Sequence, residues 1–170
     1  MKENKLLVKR KRSTPKTTDS NHKLPRYPNL IQDFEVTRVN QVWVADITYV
    51  TCGKIFLYLA LIMDLFSRKI VGWELSRNVD TDLTLKALNK AVQSRGEIDG
   101  CIHHSDHGSQ YLAGAYIERL HQLGMLPSMG EVGNSYDNAF AESLNKTVKN
   151  EEVWINEYET FEQAYKGIEE

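Results

Sequence analysis

The sequence has only two cysteines, Cys52 and Cys101, in 170 residues. Two thiols build neither a zinc cluster nor a disulfide framework, so a reducing compartment is the default expectation. Long apolar runs are missing as well. The longest, residues 55–63, stops at Asp64. A membrane span needs about 20 apolar residues, so this run is read as a buried strand and no membrane partner is expected. The N-terminus is charged and lacks the apolar stretch of a signal peptide. Net charge is nearly absent: 21 Lys+Arg against 23 Asp+Glu leave −2, which at first sight argues against a polyanionic partner. What is present is ordinary. At 41% hydrophobic and 26% charged residues, the chain is neither disordered nor collagen-like. Its length suits one domain plus a tail, with a core that needs no metal or disulfide staple.

The small net charge is a cancellation. Residues 1–26 hold nine basic side chains against Glu3 and Asp19, a net of +7, which leaves −9 for the remainder. The run Lys9, Arg10, Lys11 and Arg12 attracts phosphate by counterion release. A solvated tail is the plain alternative. Pro15, Pro25 and Pro28 break any long helix in this region. Residues 1–36 are therefore read as a basic, largely extended arm, and residues 37–170 as the folded unit.

Within that unit, residues 42–50 are β-branched and aromatic and predict a strand. Residues 52–54 form a turn, 55–63 a second strand and 69–75 a third, together an antiparallel meander. Asp80 or Thr81 caps a helix that ends at Gly96. Residues 101–105 follow as a short strand that should pair parallel with an earlier one. A helix over 109–123, a strand over 126–128, a loop over 130–136 and a helix over 137–150 complete the order. Phe140, Leu144 and Val148 recur as the stripe of that last helix. The order β-β-β-α-β-α-β-α predicts an α/β fold: a mixed sheet with helices on its faces.

Three acids stand out. Asp46 lies inside an apolar strand, where alternation puts Val42, Val44, Asp46 and Thr48 on one face. An unpaired buried carboxylate there costs several kcal/mol or takes up a proton, unless a backbone N–H or Arg68 satisfies it. Asp106 stands where the fourth strand ends, in the run His103-His104-Ser105-Asp106-His107-Gly108-Ser109-Gln110-Tyr111. Strand ends in open α/β sheets collect ligands, although an Asp there also serves as a helix cap. Gly108 allows a sharp backbone turn. Glu142 lies one turn after Asn138, on a polar face shared with Lys146 and Lys149; a solvated face is the alternative. Each acid comes from a separate element, and each element can border one pocket.

Converging carboxylates have a chemical use. Hard oxygen ligands suit Mg²⁺ or Mn²⁺, which keep some waters and complete their shells with substrate phosphate. Two such ions stabilise the attacking and leaving oxygens of an in-line phosphoryl displacement. They also keep clustered carboxylates ionised. Lys146 and Lys149 would bring positive charge to a phosphate backbone, or merely solubility. A zinc site from Cys101, His103, His104 and His107 fits no standard ligand spacing.

The segment Trp43-Val44-Ala45-Asp46-Ile47-Thr48-Tyr49 resembles the first acidic motif of DDE transposases and retroviral-type integrases. His104-Ser105-Asp106-His107-Gly108-Ser109-Gln110-Tyr111 resembles the second. The run Gly133-Asn134-Ser135-Tyr136-Asp137-Asn138-Ala139-Phe140-Ala141-Glu142-Ser143 resembles the third. The 35 residues between Asp106 and Glu142 match the spacing of that group. The match is nearest to the bacterial insertion-sequence transposase of the OrfB type and runs from about residue 24 to the end.

The resemblance implies an RNase H-like fold: a five-stranded mixed sheet, with the first three strands antiparallel and the fourth and fifth parallel. It implies Asp46, Asp106 and Glu142 as catalytic residues and ligands of two Mg²⁺ (or Mn²⁺). It implies that Asn138, Lys146 and Lys149 face DNA, together with the arm residues Lys9 to Arg12. His107 and Gln110 would support the acids or touch DNA. The activity implied is DNA transposition: hydrolytic cleavage at an element's end, then attack of the freed 3′-hydroxyl on target DNA. Partners implied are transposon ends, target DNA, further copies of the chain on DNA and a helix-turn-helix protein from an upstream frame. The setting implied is the bacterial cytoplasm, at the nucleoid. Where the group's cores continue past a helix that starts near residue 161, this chain ends, so the core is expected to be C-terminally incomplete. A nuclease that only hydrolyses, and a truncated protein that binds DNA and regulates, share the same motifs.

Overall fold

The computed structural model describes residues 27–130 and 158–169. Most of the basic arm, including Lys9 to Arg12, lies outside the described residues. So does the expected helix over 137–150 with Asn138, Glu142, Lys146 and Lys149.

Five strands form one sheet. They are β1 (Val42–Cys52), β2 (Ile55–Asp64), β3 (Ile70–Ser76), β4 (Ile102–Ser105) and β5 (Leu126–Met129), in the order β3-β2-β1-β4-β5. The first three pair antiparallel, while β4 joins β1 and β5 joins β4 in parallel. β1 runs to Cys52, two residues beyond the expected end, because Thr51 and Cys52 still pair with Phe56 and Ile55. Gly53 turns the hairpin at φ 53°, a conformation that glycine adopts without strain.

The alternation along β1 sorts its side chains as the sequence pattern predicts. Trp43, Ala45 and Ile47 enter one apolar cluster, and Val42, Val44, Val50 and Cys52 enter another on the opposite face. Helix α1 (Thr81–Arg95) covers the first. Asp80 caps it by accepting the Leu83 N–H at 3.0 Å, and Gly96 ends it. α1 sits very close to β3 at Gly72, where an added Cβ would lie 2.6 Å from the Ala91 nitrogen and 2.7 Å from its Cβ. On the other face, α4 (Phe161–Glu169) buries Ala164, and the Gly53 N–H donates to the Tyr158 carbonyl at 2.7 Å. Lys90 links α1 to α4 across the edge strand. Its Nζ lies 3.0 Å from Glu74, 2.8 Å from the Tyr165 hydroxyl and 4.7 Å from the centre of the Trp73 ring.

The single helix expected over 109–123 is two: α2 (Ser109–Leu112) and α3 (Gly114–Gln122). Ala113 between them is extended, with ψ 136°, and its carbonyl accepts the N–H groups of Tyr116 and Ile117. The chain therefore starts a second helix there, and Tyr116 and Leu120 are buried in the core that α1 covers. No helix among the described residues is long and apolar enough to cross a membrane.

Two buried ionisable groups are handled in opposite ways. Asp64 is fully buried at the end of β2. Burial alone would raise its pKa, but the N–H groups of Ser67 and Asn40, the Ser67 hydroxyl and the Arg95 charge outweigh it and hold the carboxyl below its usual range. The ionised group thus ties the strand turn at Ser67 (N–H at 2.7 Å) to Asn40 (N–H at 2.6 Å), just ahead of β1. His103 is buried without a counter-charge. Burial first, and the neighbouring His104 second, push its pKa down to about 3. Its Nε2 lies 2.9 Å from the Tyr116 hydroxyl, whose own pKa burial raises, so the phenol keeps its proton and donates.

A signed pH dependence follows. Below pH 6.5 the unfolded chain protonates His103, while the folded chain resists down to about pH 3. Acidification therefore removes stability across that window, with a slope approaching about 1.4 kcal/mol per pH unit. The ionised Asp64 stabilises above the ordinary carboxylate range and loses that contribution only at lower pH. Urea unfolding of wild type and His103→Gln between pH 7 and 5 should give a shallower slope in the variant; equal slopes would contradict the buried neutral imidazole. In the same assay at neutral pH, Gly72→Ala should lower stability by about 1–3 kcal/mol through overpacking against α1.

Candidate active site

Pairing of β4 with β1 builds the site. The register is Val42↔Ile102, Trp43↔His103 and Val44↔His104. Asp46 and Asp106 each stand two residues past the last of these pairs. Asp46 stays within β1, held by Leu61 of β2 on its other side. Asp106 is the first residue after β4, where the chain leaves the sheet. Both are half-buried. Their proximity has an electrostatic mark. Burial raises the pKa of the Tyr111 phenol, and Tyr116, Asp46 and Asp106 raise it further, so both carboxylates act on one buried ring.

The loop after β4 is shaped by Asp106 itself. Its Oδ1 accepts the Gly108 N–H at 2.9 Å, an Asx turn that leads into α2. Asp106 is thus not a side-chain cap; Gly108 occupies the cap position of α2 without one. Gly108 is needed for a different reason from the one the sequence suggests. Its φ of −62° is open to any residue. An added Cβ, however, would lie 2.9 Å from Asp106 Oδ1 and 3.0 Å from Gln110 Oε1. The glycine leaves room for two oxygens to face one spot.

His107 points its Nε2 at the Gly130 carbonyl, 2.5 Å away; a carbonyl only accepts, so Nε2 carries the proton. That bond ties the Asp106 loop to the end of β5. The neighbouring histidines are engaged in the core: His103 with Tyr116, and His104 Nδ1 with the Ser128 hydroxyl at 2.9 Å. The Cys101 thiol is pushed up to about 12 by burial and by the charge of Asp64. Among the described residues, no three His, Cys, Asp or Glu side chains converge. Glu142, Asn138, Lys146 and Lys149 lie outside them, as do Lys9 to Arg12.

Two further oxygens stand out, one on Gln110, which the resemblance already brought forward, and one on Thr48, which was not foreseen as part of this site. Thr48 Oγ1, two residues along β1 from Asp46, and Gln110 Oε1 are buried with no hydrogen-bond partner among the described residues. The alternation along β1 already put Thr48 on the face of Asp46, but only folding shows that its hydroxyl is buried. Such orphans are uncommon and call for an explanation, an ion being one. Two carboxylates with an amide and a hydroxyl oxygen nearby form a hard donor set without sulfur. It fits Mg²⁺ or Mn²⁺ and does not suit a soft metal.

Residues 36–135 match the model of the integrase core domain family. The chain is 44% identical over 170 residues to the insertion element IS600 uncharacterized 31 kDa protein of Shigella sonnei, covering 99% of this chain and 62% of that one. It is 43% identical over 134 residues to the transposase for insertion sequence element IS629 of Shigella sonnei, covering 79% and 45% respectively. The chain thus spans about half to two thirds of the length of these relatives. The HTLV-2 integrase catalytic core domain, solved in complex with magnesium in a trimeric form, shares the fold. The TM-score is 0.53 at 19% identity, over 65% of this chain and 68% of that one. The fold is RNase H-like, as the resemblance implies, and the chain belongs to the integrase core domain family.

Proposed function

We propose that this chain is the catalytic core of a DNA transposase that cleaves transposon ends and joins them to target DNA with divalent metal. The observation that carries the reading is that Asp46 and Asp106 each follow the last register pair of β1 and β4 by two residues, and that both carboxylates act on Tyr111. Gln110 Oε1, close to Asp106, is buried without a partner among the described residues. Glu142 is proposed as the third catalytic acid, on the strength of its motif and its spacing from Asp106. Residues 1–36 are proposed as a basic arm and 37–170 as the catalytic core.

Asp46, Asp106 and Glu142 would hold two Mg²⁺ or Mn²⁺ ions. When bound, these supply Lewis-acid stabilisation to the attacking and leaving oxygens of an in-line displacement. The protein's part is placement. The sheet fixes the Asp46 backbone between two strands, and the Asx turn at Gly108 fixes the direction of Asp106. Burial on both faces of the sheet keeps the strands from shifting as charge gathers at their ends. One site serves two steps of the same chemistry. Water first opens a phosphodiester at the element's end, and the freed 3′-hydroxyl then opens a phosphodiester of the target.

Lys146, Lys149, Asn138 and the cluster Lys9, Arg10, Lys11 and Arg12 are proposed to lie along the phosphate backbone. Joining requires two ends side by side, so the active species is proposed to be an oligomer on DNA at the bacterial nucleoid, aided by a helix-turn-helix partner from an upstream frame.

The test is cleavage of duplexes that carry the terminal repeats flanking the gene, in Mg²⁺ or Mn²⁺. Asp46→Asn, Asp106→Asn and Glu142→Gln should each lower cleavage by roughly 10²–10³-fold or more, while circular dichroism stays unchanged. Cleavage that survives all three changes refutes the assignment. A pre-cut end separates the activities: joining to target DNA marks a transposase, and hydrolysis alone marks a nuclease.

A further inference from the structure

Gln110 is 7% exposed, and its carboxamide is only half satisfied. Nε2 donates to the Val79 carbonyl at 3.4 Å, whereas Oε1 has no partner among the described residues. An unmet buried carbonyl is destabilising, because it has given up its hydrogen bonds to water. Turning the amide over brings no relief, because Oε1 would then face the Val79 carbonyl, acceptor against acceptor. Val79 immediately precedes Asp80, the residue that caps α1, so the start of that helix sets the direction of the amide.

The orphaned oxygen faces the site. Gln110 Oε1 and Asp106 Oδ1 lie 3.0 and 2.9 Å from the same point, the place where a Cβ on Gly108 would stand. Asp106 Oδ1 already accepts the Gly108 N–H. The two oxygens therefore lie close together beside the loop, near enough for a water on a cation at Asp106 to reach Gln110 Oε1. Mg²⁺ and Mn²⁺ keep several waters, and the acidic hydrogens of such waters need acceptors. Residues that orient the ligand shell from outside typically contribute 10–100-fold to metal affinity.

We propose that Gln110 is a positioning residue for the metal: its Oε1 accepts a hydrogen bond from water on the cation held by Asp46 and Asp106. This rests on the reading of those two acids as metal ligands. The role differs from a structural one in sign. An oxygen buried to serve the metal is a burden to the fold without it, so its removal should weaken metal binding and leave stability level or raised.

Mn²⁺ binding to the full chain without DNA, followed by the electron paramagnetic resonance of free Mn²⁺, tests this together with urea unfolding in EDTA. Gln110→Met keeps the length and removes the oxygen. It should weaken Mn²⁺ binding about tenfold, with an unfolding midpoint no lower than wild type. Gln110→Glu restores an oxygen and should bind Mn²⁺ at least as tightly as wild type. Asp106→Asn is the control and should lose most of the binding. If Asp106→Asn weakens binding while Gln110→Met matches wild type, the role of Gln110 is refuted and the metal site stands. A Gln110→Met protein that binds Mn²⁺ like wild type yet unfolds more easily in EDTA marks the residue as structural, which also refutes the proposal. Should that variant not fold, Gln110→Glu decides alone: Mn²⁺ affinity below wild type overturns the idea. If wild type and Asp106→Asn bind Mn²⁺ alike, the reading of the acids as ligands fails first.

Discussion

The parallel pairing of β1 with β4 is the contact on which the rest depends. β1 belongs to an antiparallel meander that forms from neighbouring residues. β4 arrives from sixty positions further along the chain, after α1 has crossed the sheet. Until that pairing closes, Asp46 and Asp106 have no fixed relation. Once it closes, Val44↔His104 sets the register, and the two acids each follow that pair by two residues. A slip by one residue would turn Asp106 to the opposite face relative to Asp46. The partners that hold the register, Val42 with Ile102 and Trp43 with His103, are all buried, so such a slip would expose them.

Around that pairing the protein treats its polar groups by what surrounds them. Asp64 is ionised in the core because backbone N–H groups converge on it, and it thereby locks the turn after β2 to the entry of β1. His103 is neutral because burial, and next the neighbouring His104, disfavour its charged form, and its Nε2 lies against the Tyr116 hydroxyl. Tyr111 and Tyr116 pack edge to face beside it, with ring centres 5.5 Å apart. The histidines next to Asp106 are thus a scaffold beneath the acidic loop. At the loop itself the logic reverses, and oxygens gather without donors to match them. Asp64 and His103 are paired in the core, whereas Thr48 Oγ1 and Gln110 Oε1 have no partner among the described residues.

Much of this was legible in the residues. The strands, the Asp80 cap and the Gly96 stop are local signals and all appear where expected, the strand ends to within one or two residues. Asp46 announced itself as a carboxylate on an apolar face. Gly108 was noticed for the wrong reason, since a turn glycine and a glycine that spares two oxygens look alike in sequence. The break at Ala113 was not legible, because nothing about an alanine opposes a helix; the core reached by Tyr116 and Leu120 decides it. His107 could be read as ligand, DNA contact or bystander, and its bond to Gly130 spans 23 positions that no local pattern connects.

The sequence by itself determined the family and the order of the five strands, because motifs and alternation are short-range signals. Tertiary structure alone decided which oxygens have partners. Whether Gln110 Oε1, Thr48 Oγ1 or His107 Nε2 is satisfied depends on a Val79 carbonyl, a neighbouring strand or the end of β5. Hydrogen bonding is directional and settles within a few tenths of an ångström. Hydrophobic patterning is tolerant, so it can be read along the chain, whereas that satisfaction appears only once the chain has closed on itself.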